Sequence, residues 1–189
     1  MAQNKILVDT NVYLRLAQSI HPLLKTPFGA KNYCLYILPE LSTEYHNSQK
    51  LKNSFSWFTH NEYYENRNCS WHLPKSTKEE IEEAYKFIRD TSADIAPNVS
   101  RVDIRCLAYA YILKVPVATD DSDMIILAHE FEIAVLKMLQ LLKLMLDNNY
   151  IDMVKIRSIA AYLLYLPDLP KDFKVDFVTI FKEDLPAVR

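Results

Sequence analysis

Two short apolar runs each close on a carboxylate, and that pairing constrains the chain more than any other feature. Lys5 to Val8 runs into Asp9, and Val115 to Thr119 runs into Asp120 and Asp121. Both runs have the length and residue types of buried strands. Ahead of the second, Val102, Cys106, Ala110 and Leu113 recur at helical spacing, so Ser100 to Leu113 reads as a helix that feeds a strand. Strands alternating with helices build a parallel sheet covered on its faces. Ligands of such sheets bind in the crevice outside the carboxyl ends of the strands. The expected fold class is therefore α/β with a central parallel sheet, and its binding edge is acidic.

The remaining elements follow in order. Thr10 or Asn11 can cap a helix running through Leu16 and Ala17. Tyr33 to Leu38 reads as a second strand or a helix, and Pro39 opens a helix over ELSTEYHNSQKL, with Glu40 and Glu44 one turn apart on the same face. Residues 51–75 show no clear period and carry Trp57, Tyr63, Tyr64, Arg67 and Trp71, the pattern of an irregular insertion. Exposed aromatics beside Lys52 and Arg67 would suit stacking on unpaired bases; packing beneath a long loop is the competing expectation. Ser76 to Glu79 forms a capping-box pattern for a helix through Arg89. A helix follows Asp121 to about His129, and Phe131 to Leu136 supplies another buried strand.

Beyond residue 136 the pattern changes. Two helices, about 137–147 and 152–165, form a hairpin, and Val175 to Phe181 alternates weakly enough to suggest an edge strand. The expected organisation is an α/β domain over 1–136 with a helical extension and tail over 137–189 packed on the same domain. Leu139, Leu142, Leu146, Ile159, Leu163 and Leu164 carry more apolar surface than a solvated hairpin can expose. A homodimer would cover it.

Composition removes several function classes. The single glycine, Gly29, excludes a glycine-rich phosphate loop and a dinucleotide fingerprint. A net charge of −2 gives no global attraction to nucleic acid, so phosphate binding would need local cations. The longest apolar run, Met138 to Leu146, is interrupted by Gln140 and Lys143 and falls short of the ~20 residues that span a bilayer. Cys34, Cys69 and Cys106 cannot all pair and no apolar leader accompanies them, so a reducing cytoplasm is expected. Cys69 and His72 have a metal-compatible spacing but lack a second pair, which favours inert thiols over zinc.

The candidate chemistry lies in Asp9, Glu44, Asp103 and Asp121, with Asp120 and Asp123 beside the last. Two close strands and two ride early turns of flanking helices. Carboxylates brought to ~4 Å would repel by about 4 kcal/mol at an effective dielectric of 20. A cation makes that tolerable, and an all-oxygen set favours Mg²⁺ or Mn²⁺ over zinc. Such an ion supports phosphodiester hydrolysis. Each acid also has a structural use. Ser100 to Asp103 is a capping-box pattern, Asp120 or Asp121 can cap the next helix, and Glu44 can be solvated. Glu40 rivals Glu44 and Asp120 rivals Asp121; spacing prefers Glu44 and Asp121.

The ordered set formed by VDTNV at Val8 to Val12, helix-borne Glu44, Asp103 at the head of the helix leading through LAYAYILKVPVATDD, and Asp121 after Thr119 resembles the acidic quartet of the PIN-domain nucleases. The separations of 35 residues from Asp9 to Glu44 and 18 from Asp103 to Asp121 are similar to those of the VapC-like toxins. The resemblance implies a Rossmann-like three-layer PIN fold and a Mg²⁺- or Mn²⁺-dependent endoribonuclease acting on single-stranded RNA as the toxin of a toxin–antitoxin pair. It implies Asp9, Glu44, Asp103 and Asp121 as metal ligands, Asn11 and Thr119 as their supports with Asp120 and Asp123 nearby, and an antitoxin protein as partner. The chain departs from small family toxins in the insertion at 51–75, in Lys114 where a glycine is usual, and in the extension past residue 137. Two other readings stay open. A haloacid-dehalogenase-like phosphatase would use Asp9 as nucleophile but expects a second Asp where Asn11 stands, and a PIN-like scaffold would bind RNA or protein without turnover.

Overall fold

The computed structural model describes residues 3–68, 72–166 and 169–187. In chain order the elements are β1 (Asn4–Val8), α1 (Thr10–Leu16), β2 (Tyr33–Tyr36), α2 (Glu40–Asn47), α3 (Gln49–Ser54), a 3₁₀ turn (Ser56–Thr59), α4 (Asn61–Arg67), α5 (Lys75–Ile95), α6 (Arg101–Leu113), β3 (Val117–Ala118), α7 (Ser122–Glu130), β4 (Val135–Leu136), α8 (Met138–Asp147), α9 (Met153–Leu163) and α10 (Phe173–Phe181). The four strands form one parallel sheet in the order β2-β1-β3-β4. β1 is the hub, with Leu7 opposite both Tyr36 and Val117. The order reverses between β1 and β3, which places a topological switch point between the ends of these strands.

Alternation along the strands divides the core into two layers. Ile6 and Val8 of β1 with Ala118 of β3 face a large cluster that takes in α1, α8, α9 and α10. Leu7 and Val117 face the opposite cluster, built with α5, α6 and α7. The α/β class with a parallel sheet between helical layers therefore stands. No helix among the described residues is long and apolar enough to cross a membrane.

Four local expectations are corrected. The segment at 175–181 is not an edge strand but part of α10, because Phe173, Phe177 and Phe181 recur every four residues and all three are buried. α10 packs against α8. The insertion is ordered: α3, the 3₁₀ turn and α4 bury Trp57, Phe58, Tyr63 and Arg67 beneath the first cluster. Its aromatics therefore serve packing, with Tyr45 stacked on Phe58 at 3.9 Å and Arg67 3.5 Å above the Phe58 ring. Only Tyr64 of that set is well exposed, and Trp71 and Cys69 lie outside the described residues. The helix expected over 40–51 breaks at Ser48, whose extended backbone ends α2 and whose hydroxyl accepts the Leu51 N–H to start α3. α5 is longer than expected, reaching Ile95.

The leucines that motivated a second copy are covered within the chain. Leu139, Leu142, Ile159 and Leu163 are buried, and Leu146 and Leu164 pack partly buried against the same cluster.

Candidate active site

Asp9 sits where β1 ends at the switch point, and the turn after β3 comes up beside it: its N–H donates to the Ala118 carbonyl at 3.1 Å. Asp9, rather than Thr10 or Asn11, is the N-cap of α1; its Oδ1 accepts the Val12 N–H at 2.7 Å. Its Oδ2 accepts the hydroxyl of the fully buried Thr119. The same hydroxyl oxygen accepts the Asp121 N–H at 3.1 Å, so Thr119 ties the ends of β1 and β3 together through one atom. Burial pushes the Asp9 carboxyl up to about 7 against the lowering by these two hydrogen bonds, and the charges of Asp103 and Asp120 add to the rise.

The other acids surround it. Asp103 completes a capping box on α6, its carboxylate accepting the Ser100 N–H at 3.3 Å while the Ser100 hydroxyl accepts the Asp103 N–H at 3.1 Å. Burial, with the charges of Glu44 and Asp121, raises Asp103 to about 6. Asp121 caps α7 through the Met124 N–H at 2.8 Å. Glu44, half-buried on α2, accepts the Thr10 hydroxyl. The quartet is thus within electrostatic reach around the end of β1, with Asp103 between Asp9, Glu44 and Asp121.

The acids do not close on a single point. Among the described residues, no three Asp, Glu, His or Cys side chains stand close enough together to hold a metal ion. Convergence of three acids on one point is therefore absent among the described residues, and the local hydrogen bonds show where the carboxylates go instead. Asp9, Asp103 and Asp121 are each drawn to the N–H groups of a different helix. Asp9 and Asp103 do share a small hollow of about 10 Å³ with Thr10 and the buried Cys106. The donor set is all oxygen, partly desolvated and mutually repelling, which fits a hard divalent cation better than a zinc ion.

Of the rival acids, Glu40 stays beside the site and Asp120 is held by other partners. Glu40 lies one turn before Glu44, where its charge acts on Arg105, Cys106 and Tyr109, and its buried Oε2 has no hydrogen-bond partner. Asp120 turns away from the quartet: its Oδ1 accepts the Met138 N–H at 3.1 Å, and its Oδ2 faces Arg15 at 3.6 Å. Burial raises the Asp120 carboxyl, with Arg15 and Lys137 acting against the rise. Asn11 is exposed on the wall of an adjoining cleft, while Asp123 lies half-buried in the first turn of α7. Thr119 is the expected support that touches a quartet acid.

Three neighbours escaped the sequence reading. Thr10 orients Glu44, a role hidden because Thr10 looked like a helix cap. Arg15 stands one turn after Asn11 on the same face, a spacing that carries the signal. Lys137 lies at the rim of the same cleft, brought there by β4. No protein-family profile matches the chain, and no curated protein is significantly similar to it.

Proposed function

We propose that the chain is a PIN-type, Mg²⁺- or Mn²⁺-dependent endonuclease that hydrolyses phosphodiester bonds of single-stranded RNA. The observation that carries the reading is a buried Asp9 at the switch point, its carboxyl raised to about 7 beside Asp103. An acid in that position at the end of an apolar strand has no need of burial for capping alone, and like charges gathered at a ligand-binding edge mark a functional site.

In this reading Asp9, Glu44, Asp103 and Asp121 would hold the ion, which when bound would supply an activated water and charge stabilisation for the leaving oxygen. Thr119 fixes Asp9 and carries the same constraint to the Asp121 backbone, while Thr10 fixes Glu44. The capping contacts of Asp9, Asp103 and Asp121 leave carboxylate oxygens on helix ends whose dipoles favour the charged form. A role as the toxin of a toxin–antitoxin pair, acting in the cytoplasm and silenced by an antitoxin protein, rests on the sequence resemblance. The spread of the acids around the β1 end favours the second reading, a PIN-like scaffold that binds without turnover.

The test is cleavage of single-stranded RNA by purified protein with Mn²⁺ or Mg²⁺, against Asp9→Asn. Cutting that stops in chelator and disappears in the variant supports the enzyme. Turnover that persists in excess EDTA refutes the metal reading, and RNA binding without turnover under any divalent cation supports the scaffold.

A further inference from the structure

Beside the acids, on the Asp121 side, lies a cleft of about 370 Å³ walled by α1, the start of α7, the residue before α8 and the segment leading into α10. Its volume falls in the range of about 300–1,000 Å³ that accepts a small ligand. Four carboxylates against three basic side chains line it, so its wall is net acidic. Ile125, Leu169 and Pro170 add apolar surface to that wall.

One atom of this cleft lacks what it needs. The Asp120 side chain is 10% exposed, and its Oδ2 is shielded from solvent with no hydrogen-bond partner. The Arg15 guanidinium stands 3.6 Å away, beyond a normal hydrogen bond. A buried acceptor in that state calls for a donor. An anion is the wrong occupant, because it brings further acceptors to a net acidic wall. A cation fits poorly as well, since Arg15 already places positive charge beside Oδ2 and would repel it. What fits is a neutral N–H donor. Lys137, within electrostatic reach of Asp120, gives one of its three N–H groups to Asp176 at 3.0 Å and keeps the others for an acceptor on the same ligand. The cleft is thus complementary to a neutral edge that carries donors beside a carbonyl.

We infer that this cleft reads a base: Asp120 accepts the N–H groups of a guanine flanking the cleaved bond of a single-stranded RNA, and Lys137 donates to the guanine carbonyl. The inference rests on reading the adjacent acids as a nuclease centre, with Asp121 shared between that centre and the cleft wall. An RNA strand carries no cation, so what it can offer a buried acceptor is a base N–H or a 2′-hydroxyl. Guanine is the base richest in donors along its Watson–Crick edge, where N1–H and the N2 amino group stand side by side next to the O6 acceptor. Adenine and cytosine place one amino group there, and uracil sets a single N–H between two carbonyls. A carboxylate has about four lone-pair sites. Hydrogen bonding within the chain uses one of those on Asp120, where Oδ1 accepts the Met138 N–H at 3.1 Å. Both guanine donors can therefore be satisfied, and the ring can lie on the apolar surface of Ile125, Leu169 and Pro170. The inserted segment expected to stack bases is buried instead, which leaves base recognition to this cleft.

The experiment measures fluorescence anisotropy of short labelled oligouridine strands that carry one guanine, adenine, cytosine or inosine, in chelator and at fixed salt so that nothing is cut. The guanine strand should bind about tenfold more tightly than the adenine, cytosine or all-uridine strands, the low end of what a paired base contact gives. Inosine, which lacks only the N2 amino group, should forfeit about threefold of that gain. Asp120→Asn keeps an acceptor for the Met138 N–H but turns one carboxylate oxygen into an amide, and it should bring the guanine-to-adenine ratio to within about twofold of unity. Lys75→Gln, at an exposed i,i+4 pair on α5, should leave the ratio as it is in wild type. Equal affinity for all the strands overturns the inference, and so does a guanine preference that survives Asp120→Asn. The inosine comparison is made on the native chain, so it decides the matter even where the variant fails to fold. Free guanosine monophosphate separates the sources of the base: binding of the nucleotide that depends on Asp120, with no preference among the strands, overturns the strand subsite. Cleavage measured separately with Mn²⁺ keeps the two conclusions apart. Cutting without base preference removes the subsite alone, and guanine preference without cutting removes the nuclease reading while leaving base recognition.

Discussion

Asp9→Asn should stabilise the metal-free protein at alkaline pH, and the size of the effect follows from the burial of one carboxylate. In the folded state Asp9 titrates near 7, against 3.8 for the ordinary group. Because the folded state holds the proton more tightly than the unfolded state, stability is highest below 3.8 and falls as pH rises through about 7. At 1.36 kcal/mol per pH unit the loss approaches about 4 kcal/mol by pH 8. Asn keeps the cap on Val12, since Asn and Asp cap about equally well. It gives up the charge-assisted bond from Thr119, which is worth about 2 kcal/mol. The net expectation is a variant about 2 kcal/mol more stable than wild type at pH 8, or roughly 4–8 °C in Tm for a chain of this size. Near pH 4 the order should reverse, with the variant about 2 kcal/mol less stable, because wild type has regained nearly the whole of that loss while Asn does not titrate. Thermal melts in EDTA at low salt across that range measure the difference curve, which cancels groups common to both proteins. Added Mg²⁺ should then narrow or reverse the gap, because a ligand at one hundred times its Kd stabilises by about 2.7 kcal/mol and only wild type has the full set of donors. A variant less stable at pH 8, with a gap that does not move with pH, would show that Asp9 is an ordinary structural acid.

Three further outcomes test the architecture. Lys114 ends α6 in the left-handed conformation (φ 53°), so Lys114→Gly should stabilise by about 0.5–1 kcal/mol in urea denaturation, reduced by the loss of its contact 4.2 Å above the Tyr111 ring. Phe177 is wholly buried in the main cluster, and Phe177→Ala should lower stability by about 3–5 kcal/mol; a loss under 1 kcal/mol would mean that α10 is a loose appendage. Gly29 has φ +68°, and a Cβ there would overlap the Asn148 side chain, so Gly29→Ala should destabilise by about 2–3 kcal/mol, with part of that recovered on adding Asn148→Ala.

The sheet was legible because its signal is local. Each strand is a short apolar run, and the reversal of order at β1 places the acid after Val8 beside the turn after Ala118. The helix over 101–113 was equally plain, with its Ser100 cap and apolar stripe. The C-terminal part was harder to read. Val175, Phe177 and Thr179 alternate with polar and apolar neighbours closely enough to imitate a strand, and only the spacing of Phe173, Phe177 and Phe181 reveals the helix. The insertion misled for a different reason: Trp57, Phe58 and Tyr63 belong to very short helical turns that have no room to show a period. Arg15 and Lys137 could not be joined from sequence, since 122 residues separate them and only β4 and α1 bring them to one cleft.

The capping explanation for the acids and the catalytic one are compatible, and the geometry explains why they looked like rivals. A carboxylate has two oxygens, and capping engages one of them with one of the unpaired N–H groups at a helix start. Asp9, Asp103 and Asp121 each meet that need for a different helix. Because α1, α6 and α7 begin around the end of β1, capping is itself what gathers three negative charges there. The helix ends favour those charges by about 0.3–1 kcal/mol each, too little to offset a burial that lifts Asp9 to about 7 and Asp103 to about 6. A residual demand for positive charge is therefore built into the fold. Replacement by Ala would remove the cap and the charge together, whereas Asn removes the charge alone, so the series at Asp9, Asp103 and Asp121 separates what holds the helices in place from what the gathered acids do.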